Sequence, residues 1–169
     1  MCSVRASDPR PGVVHAPAGY GFPTSAEGQL PWADAEGLLA RARTFWLGTM
    51  RPDGRPYATP LWAVWVDGAV YFDGMPSTRW ARNLAANPSI EMHVEIDAMV
   101  VILEGLAEDI ETDAELGARI VAAWDAKYGH GAPEPVHRGL FRLRPRIARA
   151  WSESMVDGAR WTFPAEAAR

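Results

Sequence analysis

The run Ser77-Thr78-Arg79-Trp80-Ala81-Arg82-Asn83 concentrates polar chemistry at a helix start. Ser77 or Thr78 can act as N-cap, and Asn87-Pro88 ends a helix that spans about Thr78 to Ala86. Arg79, Arg82 and Asn83 fall at i, i+3 and i+4, which sets them on one face, with Trp80, Ala81, Leu84 and Ala85 on the other. First turns favour Asp and Glu because a helix N-terminus already carries partial positive charge, so two arginines there are a local misfit. An anion at that end removes the misfit, since free backbone N–H groups, a hydroxyl and guanidinium forks are the donors a phosphate requires. The competing reading is that the arginines are solvated or paired with acids from elsewhere, and this window alone leaves both open.

Other polar groupings carry less. Glu91, His93 and Glu95 alternate on one strand face and could ligate a metal, but no second cluster accompanies them, and an exposed or interface face is the expectation. Gly19-Tyr20-Gly21 and Gly129-His130-Gly131 neither follow a strand nor open a helix, and both read as turns. His15, His130 and His137 lie in loop-like sequence with no Ser or Cys nucleophile at a recognisable spacing, which argues against a hydrolase. No metal-ligating or catalytic side chain is assigned.

These residues must be held by a modest scaffold. The chain has 169 residues, 48% of them hydrophobic, enough for one core and too few for two large ones. The expected organisation is an N-terminal tail over residues 1–23, mixed in Pro, Gly, Ser and Ala and without periodicity, followed by a single domain over 24–169. With a net charge near -4 and no basic stretch, a nucleic-acid footprint is excluded. Cys2, the one cysteine, has no partner for an internal disulfide and lies in the tail. No apolar run reaches the roughly 18 residues of a membrane span and no signal-peptide pattern opens the chain, so a cytoplasmic protein is expected. Eight tryptophans are many for this length, and an indole N–H needs a partner when buried, which directs some of them to an interface or a pocket.

The elements read as short antiparallel strands with few helices. A short helix in the run from Leu30 should cap one end of a barrel, with Trp32, Leu38 and Leu39 at helical spacings. Thr44 to Met50 and Tyr57 to Val66 flank Asp53-Gly54 as a hairpin, and Asp67-Gly68 turns into a further strand, Ala69 to Asp73. Pro60 cannot donate to a ladder, so its strand needs a bulge or a free edge there. Ile90 to Ile96 alternates, Met99 to Leu103 is a continuous apolar run, and Leu140 to Leu143 and Ile147 to Trp151 are two strands joined around Pro145. Thr112 to Glu115 has capping-box spacing and opens the longest helix, with Leu116, Ile120, Trp124 and Tyr128 on one face. The class is mainly β (α+β), a barrel with a few flanking helices.

Taken in order, Thr44 to Pro56, Thr59-Pro60-Leu61-Trp62, Tyr71-Phe72, Thr78-Arg79, Arg82-Asn83-Leu84 and Asn87-Pro88 resemble the signatures of the pyridoxamine 5'-phosphate oxidase-like family. Glu104-Gly105, Lys127-Tyr128-Gly129, Leu143-Arg144-Pro145 and Arg160 to Phe163 extend the match toward its flavin/deazaflavin (FMN or F-420) oxidoreductase branch, over about residues 30 to 163. The resemblance implies an antiparallel, Greek-key split β-barrel and a homodimer with the cofactor in the groove between subunits. It implies phosphate held by Thr78, Arg79 and Arg82, and a ring lined by Thr59, Pro60, Leu61 and Trp62. Lys127, Arg160 and Trp161 are further cofactor candidates reaching the partner's site, and their alternatives are a solvated lysine on a helix and a C-terminal strand packed for stability. The implied activity is hydride or electron transfer to or from a small organic substrate, and the rival is a protein that stores or senses flavin, F-420 or haem without turnover.

One departure stands out. Relatives carry a basic pair where this sequence has Arg79-Trp80, so an expected phosphate anchor is an indole. A lost charge-assisted bond costs about 1.5 to 3 kcal/mol, roughly ten- to hundredfold in affinity. The Arg-x-His substrate motif of the namesake oxidase is absent from Arg146-Ile147-Ala148-Arg149 and Arg160-Trp161, which argues against pyridoxamine phosphate oxidation.

Overall fold

The structure, a computed structural model of one chain, describes residues 9–133, 139–153 and 155–164. Cys2 and His137 lie outside the described residues, as does the tail up to residue 8. The elements in order are β1 (Arg10–Gly12), α1 (Trp32–Arg41), β2 (Phe45–Met50), β3 (Pro56–Leu61), β4 (Val64–Val66), β5 (Ala69–Asp73) and α2 (Arg79–Ala86). They continue with β6 (Ser89–Ile96), β7 (Met99–Asp109), α3 (Ala114–Tyr128), β8 (Leu140–Trp151) and β9 (Ala159–Thr162).

Every strand pairing is antiparallel, and the sheet runs β1-β9-β8-β7-β6-β2-β3, with β5 joining β4 to β8. The hairpin around Asp53-Gly54 forms as the turn residues dictate, with Arg51 and Arg55 bonded across it and the Asp53 carboxylate receiving the Arg55 amide at 3.1 Å. Asp67 and Gly68 both adopt positive φ, 50° and 77°, the paired left-handed geometry a two-residue hairpin requires.

The split in the barrel is located in β8. Its first half, Leu140 to Leu143, pairs with β5, and its second half, Ile147 to Ala150, pairs with β9. Leu140 to Leu143 and Ile147 to Trp151 are therefore one continuous strand, not two. Pro145, which has no N–H to give, sits where the neighbour changes and opposite Gly105, at a register shift in β7. A Cβ on Gly105 would lie 2.5 Å from the Arg144 carbonyl, so the strands approach this closely only with glycine there.

Pro60 is accommodated by position. β3 is the terminal strand of the sheet path, and Pro60 needs no bulge. Arg10–Gly12, which has no pattern in the sequence, pairs with Arg160 to Thr162, so the folded unit begins before residue 24. Backbone pairing to an exposed strand asks little of side-chain type, which is why three residues can do this unannounced.

The interior of the barrel holds one core cluster, including Leu38, Phe45, Leu47, Phe72, Met92, Leu103 and Leu143. α1 contributes Ala35, Leu38 and Leu39 to it and packs on β4, β6 and β7. Trp32, at the start of α1, meets Trp161 at 5.1 Å and Phe163 at 5.2 Å in edge-on contacts. A second cluster forms on the other side of the β4–β5 hairpin, where Ile120, Trp124 and Tyr128 of α3 cover Val64, Val66 and Tyr71. The cap of α3 is Asp113, whose carboxylate accepts from the Leu116 amide at 2.8 Å; the expected capping box at Thr112 is displaced by one residue.

Candidate functional site

α2 is capped by Thr78, whose Oγ1 accepts from the Ala81 amide at 3.3 Å, leaving the hydroxyl proton available to a ligand. Arg79 and Arg82 are exposed, and among the described residues neither has a carboxylate or hydrogen-bond partner. The amides of the first turn have no acceptor within the helix. The Thr78 hydroxyl, the Arg79 and Trp80 amides and the two arginines thus belong to one helix start, and among the described residues no acid is bonded to them.

Asn83 does not join them. It is 1% exposed, and its Nδ2 donates to Thr49 Oγ1 at 2.9 Å, while the Thr49 hydroxyl reaches the Tyr57 carbonyl at 3.4 Å. At 100° per residue, Asn83 lies at the border of the two faces, and the buried Thr49 hydroxyl draws it inward. Ala85, expected on the apolar face, is exposed.

Trp80 also points inward. It is 8% exposed, 5.1 Å from Phe141 and 5.6 Å from Phe72, and its ring lies against Gly74, where a Cβ would come within 2.5 Å. The indole at the position where the family resemblance leads one to expect a basic residue is therefore a core side chain, the exposed donors are Arg79 and Arg82, and Thr78 is half-buried.

Thr59, Pro60, Leu61 and Trp62 do not share a face. Thr59 and Leu61 pair with Leu47 and Phe45 and face the barrel interior, whereas Pro60 pairs with Trp46 and faces outward. Trp62 stands in the break between β3 and β4, is 45% exposed, and stacks on Tyr128 at 4.7 Å and 10°. The outer backbone edge of β3 is unpaired among the described residues.

Lys127 is not a solvated lysine. Its Nζ donates to the carbonyls of Ala63 at 3.1 Å and Leu39 at 3.4 Å and sits 5.1 Å from the Phe45 ring. Burial, assisted by the Arg43 guanidinium, lowers its pKa to about 8. Arg160 lies on β9, five strands along the sheet path from β3, with its guanidinium on the Thr162 hydroxyl at 3.0 Å. Trp161 is 3% exposed and belongs to the core.

The outward face of the sheet, which the alternation of Glu91, His93 and Glu95 marks in the sequence as an exposed or interface face, extends across β2 as well. A groove of about 670 Å³ crosses β2, β3, β6, β7 and β8, lined among others by Gly48, Met50, Ala58, Glu91, Glu104 and Ile147. Trp46 and Met50 stand exposed on this face, and Glu104 pairs with Arg149. His93 Nδ1 meets Glu91 Oε1 at 2.7 Å, and the His93 ring stacks on Trp46. The strand alternation of Trp46, Gly48 and Met50 against Leu47 and Thr49 was the available signal.

The model of the family described as pyridoxamine 5'-phosphate oxidase matches residues 32–152. The chain belongs to the pyridoxamine 5'-phosphate oxidase family. Within this family fold, an F-420 reductase is similar at 29% identity over 67% of this chain and 94% of its own, with a TM-score of 0.53. A FAD-binding protein from Mesorhizobium loti matches at 20% identity, covering 80% and 96%, TM-score 0.58. The haem storage protein HutZ from Vibrio cholerae matches at 21%, covering 67% and 88%, TM-score 0.53. No curated protein sequence matches the chain. Arg79 and Arg82 suit the phosphate of a family cofactor, because their side chains are charged, exposed and unpaired among the described residues.

Proposed function

We propose that this pyridoxamine 5'-phosphate oxidase-like chain binds FMN or F-420 and works as an oxidoreductase on a small organic substrate. The observation that carries the reading is the pair of arginines on the capped first turn of α2, whose side chains have no partner among the described residues, in a chain of this family. A bound flavin or deazaflavin supplies the hydride or electron transfer. The chain supplies the rest: Thr78, Arg79 and Arg82 hold phosphate, and Trp62 with the edge of β3 orients the ring. Lys127 acts on this site through the backbone, Arg160 is a candidate only through a partner subunit, and Trp161 serves the core.

The partner is a second copy. Trp46 and Met50 are exposed beside an open groove on a sheet face, a surface that a copy of the same chain would cover. The net charge near -4 suits FMN better than the long anionic tail of F-420. The 29% identity to an F-420 reductase supports the deazaflavin. A protein that binds the ring without turnover is the second reading, supported by the haem storage protein of the same fold.

Protein loaded with each cofactor, mixed anaerobically with a nicotinamide or reduced-deazaflavin donor and followed by absorbance, separates the readings. Reduction of the bound ring supports the oxidoreductase. Tight binding with no reduction by either donor supports storage or sensing.

A further inference from the structure

The break between β3 and β4 leaves the buried backbone of Ala63 outside any ladder, and two consecutive residues at the end of α3 take it over. The Ala63 amide donates to the Tyr128 hydroxyl at 3.0 Å. The Ala63 carbonyl receives Lys127 Nζ at 3.1 Å. The Tyr128 hydroxyl, with one proton to give, lies within hydrogen-bond distance of the Arg43 carbonyl at 2.9 Å and of the Ala63 carbonyl at 3.0 Å. The Arg43 guanidinium returns to the Lys127 carbonyl at 2.5 Å, satisfying one of the last carbonyls of α3. Three segments are tied at one point: the α1–β2 connection, the strand break and the end of α3.

Trp62 is the residue next to that point. One of its faces is stacked on the Tyr128 ring, its edge is approached by His130 at 5.4 Å, and it is still 45% exposed. An indole exposed to this degree is ordinarily free to change rotamer, but here both the backbone beside it and the ring beneath it are fixed.

We propose that Lys127 and Tyr128 are positioning residues that hold Trp62 as a stacking platform for the planar ring of the cofactor. The inference rests on the cofactor reading above and gives Lys127 a role within its own subunit. Arg43 and Tyr128 are the charged and titratable groups packed against the amine, and no carboxylate among the described residues bonds it. The hydrogen bonds to Ala63 and Leu39 therefore constitute its hold on the corner.

The test uses the full chain labelled with 5-fluorotryptophan, the Trp62 fluorine resonance being assigned by its loss in Trp62→Phe. Tyr128→Phe keeps the stacked ring and removes the hydroxyl; Lys127→Met keeps the stem and removes the amine. Thermal melts confirm that each variant is folded, and Lys127→Arg serves as the conservative partner. The expected result is a Trp62 line that shifts or broadens in both variants while the tryptophan lines other than that of Trp124, which also contacts Tyr128, stay in place. Affinity for FMN or F-420 should fall at least tenfold, with part of it restored in Lys127→Arg. An unmoved Trp62 line in both variants overturns the proposal, as does a moved line with affinity within twofold of wild type. If the wild type binds neither ring, the cofactor reading fails, and the fluorine line still decides whether the clamp holds Trp62.

Discussion

Asn83 Nδ2 donates to Thr49 Oγ1 at 2.9 Å, joining the helix that carries the two free arginines to the hairpin whose outer strand leads to Trp62. Both side chains are almost fully buried, and the Thr49 hydroxyl passes the link on to the Tyr57 carbonyl of β3. Asn83→Ala strips this chain and leaves a buried hydroxyl without its donor. The expected loss is about 1 to 3 kcal/mol of stability, read as a lower urea midpoint with an unchanged denaturant slope.

Trp80 and Arg82 are two residues apart and should respond in opposite ways. Trp80→Ala opens a hole between Phe72 and Phe141 and should cost about 3 to 5 kcal/mol of stability. Arg82→Ala removes an exposed side chain with no partner among the described residues, so the melting temperature should stay within about a degree or two, while cofactor affinity falls roughly ten- to hundredfold. Paired calorimetry and titration on the two variants check both statements.

The arginine misfit was legible because helix-start chemistry is local and depends on residue type. The same helical spacing sets Trp80 on the apolar face, where it is buried, but its partners Phe72 and Phe141 come from distant strands and were not legible. Likewise the Asp53-Gly54 and Asp67-Gly68 turns announced their hairpins through backbone geometry that few other residues adopt. β1 announced nothing, since its pairing with β9 is made by backbone groups alone. The unity of β8 was hidden by Pro145, a residue that normally ends a strand and here marks only a change of neighbour. Lys127 is readable in the sequence as a cofactor candidate or a solvated lysine, because helical periodicity cannot foresee that α1 and the strand break will each present a carbonyl to its amine.

That amine gives stability a specific pH dependence. The folded value of about 8 lies below the ordinary lysine value of 10.5, so between these limits the unfolded chain holds a proton that the native chain has released. Stability attributable to this group therefore rises as pH climbs from about 8 toward 10.5, and is at its lowest below pH 8, where the buried ammonium must be kept charged. Urea midpoints of wild type and Lys127→Met, compared at neutral pH and near the upper limit, should diverge in favour of the wild type as pH rises. A constant difference would show that the amine is not held from solvent as described.

The dimer expected from the exposed sheet face gives a further check. Trp46→Glu places a charge beside Glu91 and Glu95 on that face and should shift sedimentation from dimer to monomer. A dimer unaffected by this change would place the subunit contact elsewhere.

The central claim is tested most directly by equilibrium titration of the purified chain with FMN and, separately, F-420, followed by fluorescence, with Arg79→Ala beside the wild type. Saturable binding of one of them, weakened at least tenfold by the substitution, is the result expected of a phosphate held at the start of α2. Binding of neither, or binding that Arg79→Ala leaves unchanged, would contradict it.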